Sequence, residues 1–157
     1  MENILSKAKI SVGITAYKNS EYLLEALNSL IDQSVDSWEG IFVLDKGADL
    51  KTEKIFNSFE HPKILKHKCR NHKGAEQARH TAIKLSSTNW FFQLDSDDKI
   101  PPYAINEILN KINENPKAEF IYGPTMHFSK KSSFDCSRKD SFFSSSYRAI
   151  IYNIIMH

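Results

Sequence analysis

The 157-residue sequence is poor in the residues that mark several protein classes. Its two cysteines, Cys69 and Cys136, are too few for a disulfide framework and fit a reducing compartment. Five glycines and five prolines exclude collagen-like and low-complexity chains. No apolar run reaches the roughly 18 residues of a membrane-crossing helix. The opening MENILSK lacks the charged and long apolar segments of a signal peptide. Excess charge is also missing: 21 Lys and Arg face 19 Asp and Glu, a net +2 that argues against nucleic acid as a partner. What is present is 41% hydrophobic residues, enough for one packed core. The expectation is a soluble cytoplasmic chain, with peripheral membrane association and a homo-oligomer left open.

Apolar periodicity gives an alternating order of elements. Residues 9–16 (KISVGITA), 40–45 (GIFVLD), 63–68 (KILKHK), 90–94 (WFFQL) and 119–122 (EFIY) read as strands. Between them, Tyr22, Leu23, Ala26, Leu27, Leu30 and Ile31 form a helical stripe, with Asn19 or Ser20 as its cap. Further helices are expected over 52–59 and 74–85, and from Pro101 and Pro102 through Ile105, Ile108, Leu109 and Ile112. The β-α-β order predicts an α/β fold, a mostly parallel sheet with helices on both faces. Ligands of such sheets bind beyond the carboxyl ends of the strands. Past Tyr122 the pattern breaks. Residues 129–146 carry eight serines and read as loop, and 149–156 is an apolar helix or strand opening. Two regions are therefore expected: a binding domain over 1–128, and a Ser-rich loop with the start of an incomplete segment over 129–157.

Polar residues gather at the predicted strand ends. Asp95, Asp97 and Asp98 follow the apolar strand WFFQL within four positions. Clustered carboxylates repel unless a cation joins them, and Mg²⁺ or Mn²⁺ prefers such oxygens together with phosphate. The alternative is a polar turn in which one Asp caps the next helix. Asp45 ends the second strand. Beside Thr15 and Tyr17 it can accept from a base N–H while the Tyr ring stacks; alternatively it starts a turn with Gly47. Residues 74–80 open a helix whose backbone N–H groups suit an anion, and Arg79 on it reaches phosphate or is a solvated surface Arg.

Other motifs are set aside. His67, Cys69 and His72 lack the spacing of a zinc cluster and read as structural or solvated. The basic run 63–73 reads as a solvated edge strand. No G-x-G-x-x-G or P-loop is present. A phosphatase-type D-x-D-x-[TV] fails because position 99 is Lys.

Five ordered blocks resemble family 2 glycosyltransferases of the GT-A fold, a Rossmann-like architecture. These are ISVGITAYKN at 10–19, SEYLLEALNSLIDQS at 20–34, FVLDKGAD at 42–49, GAEQARH at 74–80 and LDSDD at 94–98, with FIYG at 120–123 following. The resemblance implies a nucleoside-diphosphate sugar donor, UDP-sugar favoured. Its base and ribose would meet Thr15, Tyr17 and Asp45, and its ribose or phosphates Arg79, Asp95 and Ser96. Asp95 and Asp97 would hold Mn²⁺ or Mg²⁺. The implied reaction is transfer to the hydroxyl of a sugar or lipid-linked acceptor, with inversion, in polysaccharide or glycan biosynthesis. The chain departs from the family at Lys46, Ala48 and His80, and Asn71 stands one place early for Asn-x-Gly. The family's later Glu-Asp segment, which carries the general base, has no match: after Glu119 the only carboxylates are Asp135 and Asp140. The implied catalytic base is thus absent and a truncated, donor-binding portion is expected. The competing expectation is a non-catalytic nucleotide-sugar-binding or assembly module.

Overall fold

The computed structural model describes residues 8–18, 21–72, 74–122 and 150–153, with 122 and 150–153 described by their backbone. The elements are β1 (Ile10–Ala16), α1 (Leu23–Ile31), β2 (Trp38–Leu44), α2 (Leu50–Ser58), β3 (Ile64–Lys68), α3 (Ala75–Leu85), β4 (Trp90–Asp95), α4 (Ala104–Glu114), β5 (Phe120–Tyr122) and β6 (Ile150–Asn153). The six strands form one sheet in the order β3-β2-β1-β4-β6-β5. The first four pair in parallel, and β6 runs antiparallel to both β4 and β5.

Strand alternation assigns the two faces. Ile10, Val12, Ile14 and Ala16 of β1 pack with Phe42, Leu44, Phe92 and Leu94 against Leu23, Leu27 and Leu30 of α1, Phe56 of α2 and Ile105 of α4. On the other face, Ile41, Val43 and Phe91 pack against Ala78 and Ala82 of α3. The chain steps from β1 to β2 to β3 in one direction, then returns to β4 on the far side of β1. A right-handed crossover on that return carries α3 over the face opposite α1 and α2. Small residues let α3 approach the sheet closely. A Cβ added at Gly13 would lie 2.3 Å from Phe91 Cζ and 3.1 Å from Ala82 Cβ. Overpacking of this kind costs about 1–3 kcal/mol. Gly13→Ala is therefore expected to lower the melting temperature by about 3–8 °C, and Phe91→Leu in the same chain to recover part of it; an unshifted single variant would contradict the packing.

Some expectations need correction. β2 starts at Trp38, two residues before the expected 40, and α2 runs 50–58 rather than 52–59. Pro101 and Pro102 precede α4 instead of forming its first turn: the N-cap is Tyr103, with no side-chain cap. An Asp capping α4 is thereby ruled out. The α1 N-cap is Tyr22, 40% exposed rather than part of the buried stripe, while Asn19 and Ser20 lie outside the described residues. The 149–156 segment, left open between helix and strand, supplies the strand β6 over the described residues 150–153, which pairs with both β4 and β5. The Ser-rich 129–146, with Cys136, Asp135 and Asp140, lies outside the described residues.

Candidate functional site

The same alternation that places Gly13 under α3 continues to the carboxyl ends of the strands. Thr15 and Tyr17 follow Gly13, Asp45 follows Ile41 and Val43, and Asp95 follows Phe91 and Gln93. All share the parity of the α3 side. Thr15 and Asp95 are register partners across β1 and β4. That pair marks the point where strand order reverses, the place where ligands of open α/β sheets bind. A cleft of about 660 Å³ opens there, lined by Thr15, Tyr17, Lys18, Asp45, His72, Gly74, Ala75, Ala78, Arg79 and the run Asp95–Asp98.

Asp45 forms one wall. Its side chain is 5% exposed, Oδ1 accepts from the Lys46 backbone N–H at 2.8 Å, and Oδ2 lies 2.8 Å from His72 Nδ1. His72 also stacks on Tyr17, with ring centroids 4.7 Å apart and planes 21° apart, while Lys18 Nζ lies 4.9 Å from the centre of the Tyr17 ring. The loop after β2 is tied to this wall, since the Asp49 N–H donates to the Tyr17 carbonyl at 3.2 Å. Asp49 also caps α2 by accepting from the Thr52 N–H at 2.8 Å, and that bond holds its carboxyl below the usual carboxylate range. Lys46, the residue that departs from the family pattern, is exposed and does not line the cleft.

The opposite wall is acidic with one cation. Arg79 Nη2 lies 2.9 Å from both Asp95 oxygens, and Gln93 Nε2 donates to Asp95 Oδ1 at 3.2 Å. A shared guanidinium keeps Asp95 in place and partly offsets its charge. Arg79 projects from the first turns of α3, whose N-cap Gly74 has φ 83°, a backbone state that glycine adopts without strain. Gly74 and Ala75 line the cleft, so the positive end of the α3 dipole faces it.

Among the described residues no group of three His, Cys, Asp or Glu side chains converges as a metal cage. Mg²⁺-type ions need no such cage when phosphate oxygens complete the shell: one or two carboxylates suffice. Asp97 fits that sparse set. It is exposed at the cleft, with no hydrogen bond or ion pair to a described residue. Asp95 lines the same cleft, with both oxygens already engaged by Arg79.

The structure thus brings Thr15, Tyr17, Asp45, Arg79, Asp95, Ser96 and Asp97 to one cleft. It pairs Arg79 with Asp95, which spacing along the chain did not reveal. The residue missed by sequence reasoning is His72, read there as structural or solvated. Its signal was its place two positions before the glycine that opens α3.

Comparisons with known proteins agree with this architecture. Residues 11–154 match the family described as "Glycosyl transferase family 2". Escherichia coli chondroitin synthase is 28% identical over 115 residues, 72% of this chain and 16% of that protein. TarP of Staphylococcus aureus, a poly(ribitol-phosphate) β-N-acetylglucosaminyltransferase, is 28% identical over 73% of this chain and 36% of its own length. The crystal structure of S. aureus TarS 1–349 in complex with UDP-GlcNAc superposes with a TM-score of 0.73 at 22% identity, covering 93% of this chain and 45% of that one. The chain therefore spans less than half the length of these relatives and shares the GT-A fold. No helix among the described residues is long and apolar enough to cross a membrane. With the match running through nearly the whole length and the polar cleft at the sheet's reversal point, the chain belongs to glycosyl transferase family 2.

Proposed function

We propose that the cleft binds a nucleoside-diphosphate sugar, UDP-sugar favoured, as the donor side of an inverting glycosyltransferase acting on a sugar or lipid-linked acceptor hydroxyl. The observation that carries this reading is the convergence of Thr15, Tyr17, Asp45, Arg79 and Asp95–Asp98 at one reversal point of the sheet. Tyr17 offers a ring for base stacking, worth about 1–3 kcal/mol in comparable contacts. Asp45 offers a desolvated carboxylate acceptor for a base N–H, and Thr15 a hydroxyl beside it. The α3 N-terminus and Arg79 present positive potential to the phosphates.

Asp97, together with Asp95, would hold Mn²⁺ or Mg²⁺. When bound, such an ion supplies charge stabilisation to the departing nucleoside diphosphate. Asp95 is kept oriented by Arg79, so the acidic wall needs little rearrangement when an anionic ligand arrives. Residues 1–128 form the donor domain in this reading, and 129–157 begin the acceptor side. Polysaccharide is the product class that the chondroitin and hyaluronan synthase relatives support; lipid-linked glycan and assembly at the cytoplasmic face of a membrane belong to the proposal alone.

Calorimetry tests the reading directly. UDP is expected to bind, to bind about tenfold more tightly with Mn²⁺ present, and to be preferred over GDP and CDP. Failure of UDP to bind with or without the ion would remove the proposal. Binding of all three nucleotides alike would remove the base-reading role given to Asp45, while stacking on Tyr17 tolerates any base.

A further inference from the structure

We propose that His72 is an internal stand-in for the nucleobase: it occupies both groups that would receive the base, and a nucleotide entering the cleft must displace it. The inference rests on the donor-site reading. Two independent contacts define the role. The imidazole is stacked on Tyr17 at 4.7 Å with planes 21° apart, the arrangement an aromatic base would take. Its Nδ1 lies 2.8 Å from Asp45 Oδ2, in the place of a donating base N–H. Asp45 has no second opening to offer. Its other oxygen is held by the Lys46 N–H, and its side chain is 5% exposed. His72 itself is 51% exposed and follows β3 on the loop before Gly74, so its ring can leave without disturbing the core.

The consequence is competition. A ligand that must break an existing contact binds more weakly by the strength of that contact. The stand-in also raises selectivity, because only a ligand offering both a π-face and a hydrogen-bond donor replaces what it removes. A sugar phosphate without a base leaves His72 seated.

Calorimetric titration of UDP into the full chain, His72→Ala and His72→Phe tests this. The alanine variant is expected to bind UDP about fivefold more tightly than the parent. The phenylalanine variant, which stacks but cannot donate to Asp45, is expected between the two. Melting curves of both variants should match the parent, since a half-exposed loop side chain holds no core contact. In the parent, the His72 Cε1–H proton resonance, assigned by its loss in His72→Ala, is expected to shift on UDP addition as the ring leaves Tyr17. It should stay in place when inorganic phosphate is added. Weaker or unchanged UDP binding in His72→Ala, or an unmoved resonance at saturating UDP, overturns the stand-in role. Absence of UDP binding in parent and variants alike overturns the donor-site reading and the stand-in with it, a result distinct from equal binding in all.

Discussion

Asp97→Ala is expected to bind UDP about tenfold more weakly than the parent when Mn²⁺ is present, a loss of roughly 1.4 kcal/mol that abolishes the ion's contribution, and no more weakly when the ion is withheld. The split follows from the position of the side chain. Asp97 is exposed at the cleft, with no hydrogen bond or ion pair to any described residue. Its removal therefore costs folding almost nothing, within about 0.5 kcal/mol for such a surface change. Without the ion, deleting a negative charge beside an anionic ligand is neutral or mildly favourable. With the ion, the chain loses the carboxylate best placed to anchor it. Asp95→Ala makes the control, because it also releases Arg79 from its ion pair and alters the cleft whether or not the ion is present. Calorimetry of the two variants with and without Mn²⁺ distinguishes them. Equal Mn²⁺-dependent binding by Asp97→Ala and the parent would falsify the assignment of Asp97.

Much of this site was legible in the chain because strand ends announce themselves. An apolar run that stops at a carboxylate, as at Leu44-Asp45 and Leu94-Asp95, places that carboxylate at the edge of the sheet. The parallel order follows from the alternation of strand and helix. Two kinds of information were not legible. Pairings across the fold, such as Arg79 with Asp95 and His72 with Asp45, depend on where α3 and the loop before it settle, and no local pattern encodes that. Strand pairing by a distant segment was equally hidden. β6 enters between β4 and β5 as an antiparallel strand, although its four residues lie nearly thirty positions beyond β5. Loop closure over that distance adds little further cost per residue, so length gives no warning of it.

The start of β2 shows the same limit from the energetic side, and it leads to the largest stability effect expected of this chain. Glu39 follows Trp38 and interrupts the apolar run, so the strand read from sequence begins only at Gly40. In the fold Glu39 is 4% exposed and fully engaged. Its Oε1 accepts from Ser11 Oγ at 2.6 Å and from the Ser87 N–H at 2.7 Å, and its Oε2 accepts from Ser87 Oγ at 2.6 Å. These bonds tie the loop after α3 to the amino-terminal end of the sheet, as Arg79 and Asp95 tie the front of α3 to the other end. Glu39→Ala would remove three charge-assisted hydrogen bonds, leaving Ser11 Oγ with Thr88 Oγ1 as its remaining partner and the exposed Ser87 to water, and would open a cavity at a buried position. A loss of roughly 3 kcal/mol is expected, lowering the melting temperature by about 6–12 °C for a chain of this size. Glu39→Gln keeps one acceptor oxygen and the volume, and should lose about 1 kcal/mol. Ser87→Ala added to Glu39→Leu removes donor and acceptor together. That double variant is expected to be more stable than the sum of its single changes, because the Glu39–Ser87 side-chain bond is lost once rather than counted in both. Thermal denaturation followed by circular dichroism measures all five: Glu39→Ala, Glu39→Gln, Glu39→Leu, Ser87→Ala and the double variant. Strict additivity, or a Glu39→Ala variant melting within a degree of the parent, would show that the loop after α3 is held by something other than this carboxylate.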